Sequence, residues 1–314
     1  MNQNQKKQII AALEEWMQRH GVSQNEVSKR AGVNAAYLVA IRKGEYSVLV
    51  NGKTVEIADK HFERVAELIG FSFQKSEWET RPTEQLMEVL ASLEDAKAAT
   101  CVRTIIGDTG CGKSYTVELF RRKYPNDVFV VTVSQLDNVS DILEKVVDLL
   151  GIPSGKGKSR KMNAVVEKMR SLKFEGKTPL IIFDECEYMK QPALCAMKEL
   201  YDRLCSENNR YCGIALVGHY QLLRNMERFK KQGKDGIPQF FRRVKFGVRN
   251  LPNIDRRFDL FFQGIEDKHL RRFLSENCEN YGELHDVLVP ALREAERTGE
   301  ELTENFVKKV LNFK

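Results

Sequence analysis

The chain has no Cys-x-x-Cys pair; its seven cysteines are scattered, so no zinc ribbon or disulfide framework is encoded. Cys101, Cys111, Cys186, Cys195 and Cys212 lie in or beside apolar runs, where a reduced thiol packs as a small hydrophobe. An odd count without framework spacing fits a reducing compartment. No stretch approaches the ~20 apolar residues of a membrane span. The opening MNQNQKKQ has no apolar stretch of the kind a signal peptide carries. A cytoplasmic protein is therefore expected. Internal repeats and long low-complexity tracts are missing too. Neither charge sign dominates: the net charge is +6, compatible with a polyanionic partner but no proof of one.

The 314 residues leave room for two or three domains, and an apolar fraction of 42% supports real cores. One stretch outweighs all others. Gly107-Asp108-Thr109-Gly110-Cys111-Gly112-Lys113-Ser114 follows the β-like run Cys101–Ile106 and precedes the helix-like run Tyr115–Lys123. Glycines let the backbone curl so that successive N–H groups point at phosphate oxygens. Lys113 would reach the β- and γ-phosphates, and the Ser114 hydroxyl would ligate Mg²⁺. The helix that follows adds the positive end of its dipole. Residues Gly107 through Tyr115 are thus a candidate phosphate cradle, with ATP and Mg²⁺ as expected cofactors.

Around this loop, continuous apolar runs alternate with helical patterns. Val128–Val133, Leu180–Phe183 and Ile214–Val217 read as strands buried on both faces, and Val244–Val248 as a weaker fifth. Helices are expected at Val139–Leu150, Met162–Leu172, Gln191–Ser206 and Gln221–Lys230. This is the pattern of a parallel sheet with crossover helices on both faces. Leu180–Phe183 ends in Asp184-Glu185. Asp184 would hold Mg²⁺ through its water shell, and Glu185 would polarise the attacking water. The fourth strand ends at His219, which is either a polar sensor of the γ-phosphate or a turn residue. Arg242 and Arg243, before the fifth strand, are either surface basicity or a finger that reaches a neighbouring subunit's γ-phosphate.

P-loop, hydrophobic strand with Asp184-Glu185, polar sensor, arginine before strand five and a trailing helical segment together resemble the AAA+ ATPases. The segments Asp184–Met189, Leu200-Tyr201-Asp202 and Ile214–Gly218 are similar to the target-selection branch found in transposons, the Mu B and TniB/TnsC type. Such blocks also occur in ORC-like and ExeA-like ATPases. The resemblance implies an α/β module with a five-stranded parallel sheet in the order 5-1-4-3-2 and a C-terminal helical lid. It implies ATP hydrolysis to ADP and phosphate, ATP-dependent assembly of copies on double-stranded DNA as a filament or ring, and recruitment of a transposase. One departure stands out. Where related lids carry Gly-x-x-Arg, this chain reads Gly282-Glu283-Leu284-His285, so a second sensor is either absent or replaced by His285 or Arg293.

The first segment reads as helix, tight turn, helix. Ser23 is a plausible cap with Glu26 completing a capping box, and Gly32 permits the bend. Val27, Ala31, Leu38 and Ile41 supply a shared apolar face, leaving Asn34, Ala35, Tyr37 and Arg42 outward. This resembles the helix-turn-helix of repressor-type domains. Helices Gln8–Arg19 and Ala58–Ile69 flank it, and Asn51-Gly52 signals a type I′ hairpin. The expected organisation is 1–75 helix-turn-helix domain, 80–250 ATPase core, 251–314 lid. Three basic clusters are candidates for DNA phosphate: a flexible loop with Lys156–Lys161, the stretch Arg228, Lys230, Lys231, Lys234, and Arg121-Arg122-Lys123. Contacts of this kind give largely sequence-independent, salt-sensitive binding. Two other readings share the same parts: a nucleotide-tuned transcriptional regulator, and a replication initiator or helicase loader.

Overall fold

Leu180–Asp184 and Gly213–Gly218 are buried along their whole length, and they form the centre of a five-stranded parallel sheet. The computed structural model describes residues 1, 3–50, 53–71, 78–153 and 155–312. It divides into two compact units, Met1–Glu77 with Tyr124–Asn126, and Trp78–Lys123 with Asp127–Lys314.

The first unit holds helices α1 (Gln3–His20), α2 (Gln24–Ala31) and α3 (Ala35–Arg42), strands β1 (Ser47–Val50) and β2 (Lys53–Glu56), and helix α4 (Asp59–Ile69). The capping box is present: the Glu26 backbone N–H donates to Ser23 Oγ at 3.3 Å, and the Ser23 N–H to Glu26 Oε2 at 3.4 Å. Gly32 ends α2 at φ +60, a conformation that costs other residues a steric clash. Asn34 caps α3 by accepting from the Ala36 N–H at 2.8 Å. Ile9, Leu13, Val27, Leu38, Ile41, Phe62 and Val65 make the core. Arg42 does not face outward as expected. Its guanidinium bonds Glu14 on α1 and donates to Gln24 Oε1 at 2.8 Å, because α1 packs across the end of α3. The strands pair antiparallel with Val48 opposite Val55. The Asn51-Gly52 turn lies outside the described residues, as does Ser154 of the basic loop.

The second unit begins with α5 (Glu84–Ala98), which the sequence reading did not anticipate. Then come β3 (Val102–Ile106), α6 (Lys113–Lys123), β4 (Val128–Thr132), α7 (Val139–Leu150), α8 (Lys158–Phe174), β5 (Leu180–Asp184), α9 (Gln191–Leu204), β6 (Gly213–Gly218), α10 (Gln221–Lys231), α11 (Ile237–Val244) and β7 (Val248–Asn250). Strand order is β4-β5-β6-β3-β7, all neighbours parallel. Counted within the module this is 5-1-4-3-2, the order expected from the resemblance. Gly213 has no room for a side chain, since a Cβ there would lie 2.3 Å from the Ala96 carbonyl oxygen at the end of α5.

Two local expectations are corrected. Val244–Val248 is not the fifth strand. Pro238 opens α11, and Ile237, Phe240 and Val244 recur at helical spacing on its buried face. The valines at 244 and 248 lie one helical turn apart, and only the second begins β7. The basic loop is also shorter than expected, because Lys158–Lys161 form the first turn of α8. Lys161 is anchored there, its ammonium 3.0 Å from Ser140 Oγ and ion-paired with Glu144.

Helices α12 (Lys268–Asn277), α13 (Tyr281–Thr298) and α14 (Glu304–Val310) follow the sheet and share a core of Leu270, Leu274, Leu284, Leu288 and Val307. No helix among the described residues is long and apolar enough to cross a membrane.

Candidate nucleotide site

The carboxyl ends of β3, β5 and β6 converge on one cavity of about 370 Å³. The turn after β3 supplies Thr109, Gly110, Cys111 and Gly112, and the first turn of α6 supplies Lys113, Ser114 and Tyr115. Gly110 and Gly112 adopt φ of +73 and +90, which only glycine takes without strain. A Cβ on Gly112 would meet nothing within 4 Å, so the loop leaves an open hollow above its backbone. The Lys113 ammonium rests on two carbonyls of the loop itself, Gly107 at 2.9 Å and Asp108 at 2.7 Å. Ser114 and Tyr115 are exposed at the rim. Thr116 turns inward, its hydroxyl donating to the Gly112 carbonyl at 2.8 Å. The Cys111 thiol is buried beneath the loop, and burial raises its pKa.

Gly107 and Asp108 do not line the cavity. Gly107 is buried against Leu251, and Asp108 is exposed with its carboxylate 3.7 Å from His219 Nε2.

Asp184 and Glu185 face the loop from the end of β5. Asp184 is buried, and its Oδ1 accepts the Glu185 N–H at 2.9 Å. Glu185 sits at φ +58, an uncommon conformation for a residue with a side chain and a source of local strain. Burial, then the Asp184 and Glu187 charges, raise the Glu185 pKa above its ordinary value. Glu187 also lines the cavity. Its Oε2 accepts the His219 backbone N–H at 3.1 Å, tying the ends of β5 and β6 together. His219 therefore lies beside the acids at the cavity wall.

Arg242 and Arg243 are not in this cavity. Both ride on α11. Arg243 is half-buried, bonded to Asp202 at 2.8 Å and to the Gln239 carbonyl at 3.2 Å. Arg242 is exposed and forms no ion pair among the described residues.

Of the opposite wall, the sequence singled out only His285. Trp78, Phe261, Tyr281 and His285 close the cavity as an aromatic panel: Trp78 stacks on Phe261 at 4.8 Å and meets His285 edge-on at 5.1 Å. Phe261 and Tyr281 lie 5.3 Å apart. Isolated aromatics in a helical lid carry no periodicity that distinguishes a wall from a core. Of the two lid residues considered as sensors, His285 lines the cavity and Arg293 does not. The lid also touches the loop directly, with the Gly282 N–H donating to the Gly110 carbonyl at 3.2 Å.

The donor set suits a hard divalent cation. Ser114 offers a hydroxyl at the rim and Asp184 a second carboxylate oxygen, all oxygen ligands as Mg²⁺ prefers. The three acids and the single lysine at the loop leave that wall short of positive charge, which a cation would supply.

This is an AAA+ ATPase fold. A family model described as an AAA domain matches residues 100–226. The particular relative is a transposition protein. The chain is 25% identical over 224 residues to a Mu-like prophage FluMu DNA transposition protein B of Haemophilus influenzae, covering 70% of this chain and 72% of that one. The resemblance read from the motifs is thereby borne out. Among solved structures, the ORC2 protein of Aeropyrum pernix, in ADPNP–ADP complexes, is similar with a TM-score of 0.54 and 18% identity, covering 79% of this chain and 71% of its own. Cdc6p of Pyrobaculum aerophilum is similar with a TM-score of 0.56 and 16% identity, covering 78% and 70%. At those identities the likeness is one of fold.

Proposed function

We propose that the protein is an ATP-hydrolysing, DNA-binding AAA+ assembly factor that directs a transposase to target DNA. The observation that carries the reading is the cavity where Lys113, Ser114, Asp184, Glu185 and His219 meet, in a chain related to a transposition protein B. In this reading residues 1–75 are a helix-turn-helix DNA-binding domain, 80–250 the ATPase core and 251–314 its lid.

Bound Mg²⁺ would neutralise charge on the β- and γ-phosphates. Ser114 and Asp184 are the residues that hold it. Lys113 leaves the Gly107 and Asp108 carbonyls for the phosphate oxygens, and the N–H groups of residues 109–114 surround them. The base lies against the aromatic panel. Glu185 orients the attacking water and takes its proton, its raised pKa making it a better acceptor than an ordinary carboxylate. His219, held by Glu187, contacts the γ-phosphate from the side. Arg242 is the finger offered to a neighbouring copy, because Arg243 is already committed to Asp202. ATP binding thus joins subunits and hydrolysis separates them. The solvent-exposed edge of the helix-turn-helix and basic surface of the core hold duplex DNA without strong sequence choice.

Electron microscopy with random-sequence duplex and either ATP or ADP tests this. Filaments or rings with ATP alone are expected. Monomers under both conditions would overturn the proposal.

A further inference from the structure

The basic clusters differ in what their charges already touch. At the end of α6, Arg121 and Arg122 both bind Glu118, at 2.7 and 2.9 Å, and Lys123 binds Glu94 at 2.7 Å. On α8, Lys161 is paired with Glu144. Between residues 224 and 234 the balance is different: five basic residues stand against one acid. Arg224, Arg228, Lys230, Lys231 and Lys234 are all exposed, and none has a carboxylate partner among the described residues. Leu222 and Met226 are buried, which fixes the helix with its other face outward. Arg224, Arg228 and Lys231 recur at four- and three-residue spacing, so they stand in one row on α10. Four residues advance a helix by about 6 Å, close to two nucleotides of one duplex strand at about 3.4 Å each. Lys234 extends the row into the turn beyond.

Two features argue for a polyanion and against mere solvation. Like charges four residues apart destabilise a helix unless a counter-charge relieves them, and here the one acid, Glu227, stands against five bases and is ion-paired with none of them among the described residues. The same helix is also bonded to the nucleotide site. Asn225 Nδ2 donates to the Glu187 carbonyl at 3.3 Å, and the Gln221 N–H donates to His219 Nδ1 at 3.4 Å. Whatever lies on the outer face of α10 is mechanically close to the residues at the γ-phosphate end of the cavity.

We infer that α10 and the turn after it are a duplex-DNA contact surface, with Arg224, Arg228, Lys231 and Lys234 bound to backbone phosphates. This rests on the DNA-binding reading above and assigns the surface that reading leaves open. The contacts carry no base information, so they serve any sequence.

The full chain with ATP is titrated onto a labelled random duplex over a range of KCl. Each phosphate contact contributes about 0.9 to the slope of log K against log salt. Arg224→Gln/Arg228→Gln/Lys231→Gln should lower the slope by about 2 to 3 and weaken binding more than about tenfold at low salt. Lys234→Gln alone should lower it by about 1. Arg121→Gln/Arg122→Gln should leave it unchanged. Calorimetric ATP binding equal to the parent's shows that the variants are folded. A parental slope in the triple variant overturns the inference while the function stands. So does loss of ATP-dependent self-association with a parental slope, which would make this face a contact between copies. A parent that binds no duplex at any salt overturns the proposed function itself.

Discussion

Charge is settled inside the N-terminal unit and unsettled inside the nucleotide cavity. In the former, Lys6 is buried, but Asp59 lies 2.8 Å from its ammonium and the rings of Tyr46 and Phe62 flank it. Arg42 is shared between Glu14 and Gln24. In the latter, Asp184, Glu185 and Glu187 crowd one wall, Glu185 holds a strained backbone angle, and Lys113 bonds two loop carbonyls and the Cys111 thiol but no carboxylate among the described residues. The first arrangement stabilises a fold by itself. The second gathers like charge and backbone strain, as at sites where function rather than stability sets the geometry.

Substitutions on each side can sharpen this contrast. Lys113→Ala should have the largest effect, removing ATP binding below detection in a titration with excess magnesium. Glu185→Gln should leave ATP affinity near the parent's and lower kcat by about 10²-fold or more; unchanged turnover would remove Glu185 from its role. The pH profile follows from the raised Glu185 pKa. The base works only when ionised, so kcat/KM, which reports the free protein, should fall as pH drops through a value above the usual carboxylate range, and steady-state rates across pH locate that limb.

In the N-terminal unit, Leu38→Ala opens a cavity at a fully buried site and should cost about 2–5 kcal/mol in denaturant unfolding of that unit. Glu14→Gln should cost least, about 0.5 kcal/mol, because the pair is part-exposed and screened. Arg42 lowers the Glu14 pKa, so the pair's contribution is present above the unfolded value and is lost as pH falls through the folded one. Unfolding of the Glu14→Gln variant should therefore be less sensitive to acid than the parent's.

Much of the sheet was legible because its signals are local. Valine- and isoleucine-rich runs of strand length between helical periods specify a buried parallel sheet, and the Gly-Lys-Ser turn marks the first strand. α5 was missed because it precedes the motif that draws attention, and its alternation of buried Val89, Leu93 and Ala96 is diluted by the buried polar residues Gln85 and Ser92. α11 was misread because Val244, which ends it, and Val248, which begins β7, looked like one strand. At the cavity, motif residues 109–115 line the wall while Gly107 and Asp108 do not, and of the residues distant from the motifs His219 and His285 were singled out but the aromatic panel was not. The aromatic panel joins positions 78, 261 and 281, which no spacing rule links. The partners of Arg42, Lys161 and Arg243 were equally invisible, since each comes from another helix.

Gly110 answers to more than the cavity it lines. A methyl group there would fall 2.1 Å from Asn280 Oδ1, the atom that caps α13 by accepting the Glu283 N–H at 2.9 Å. The first turn of α13 is thus seated on the same bare backbone that faces the cavity. Swapping Gly110 for alanine would unseat that helix even in an empty pocket.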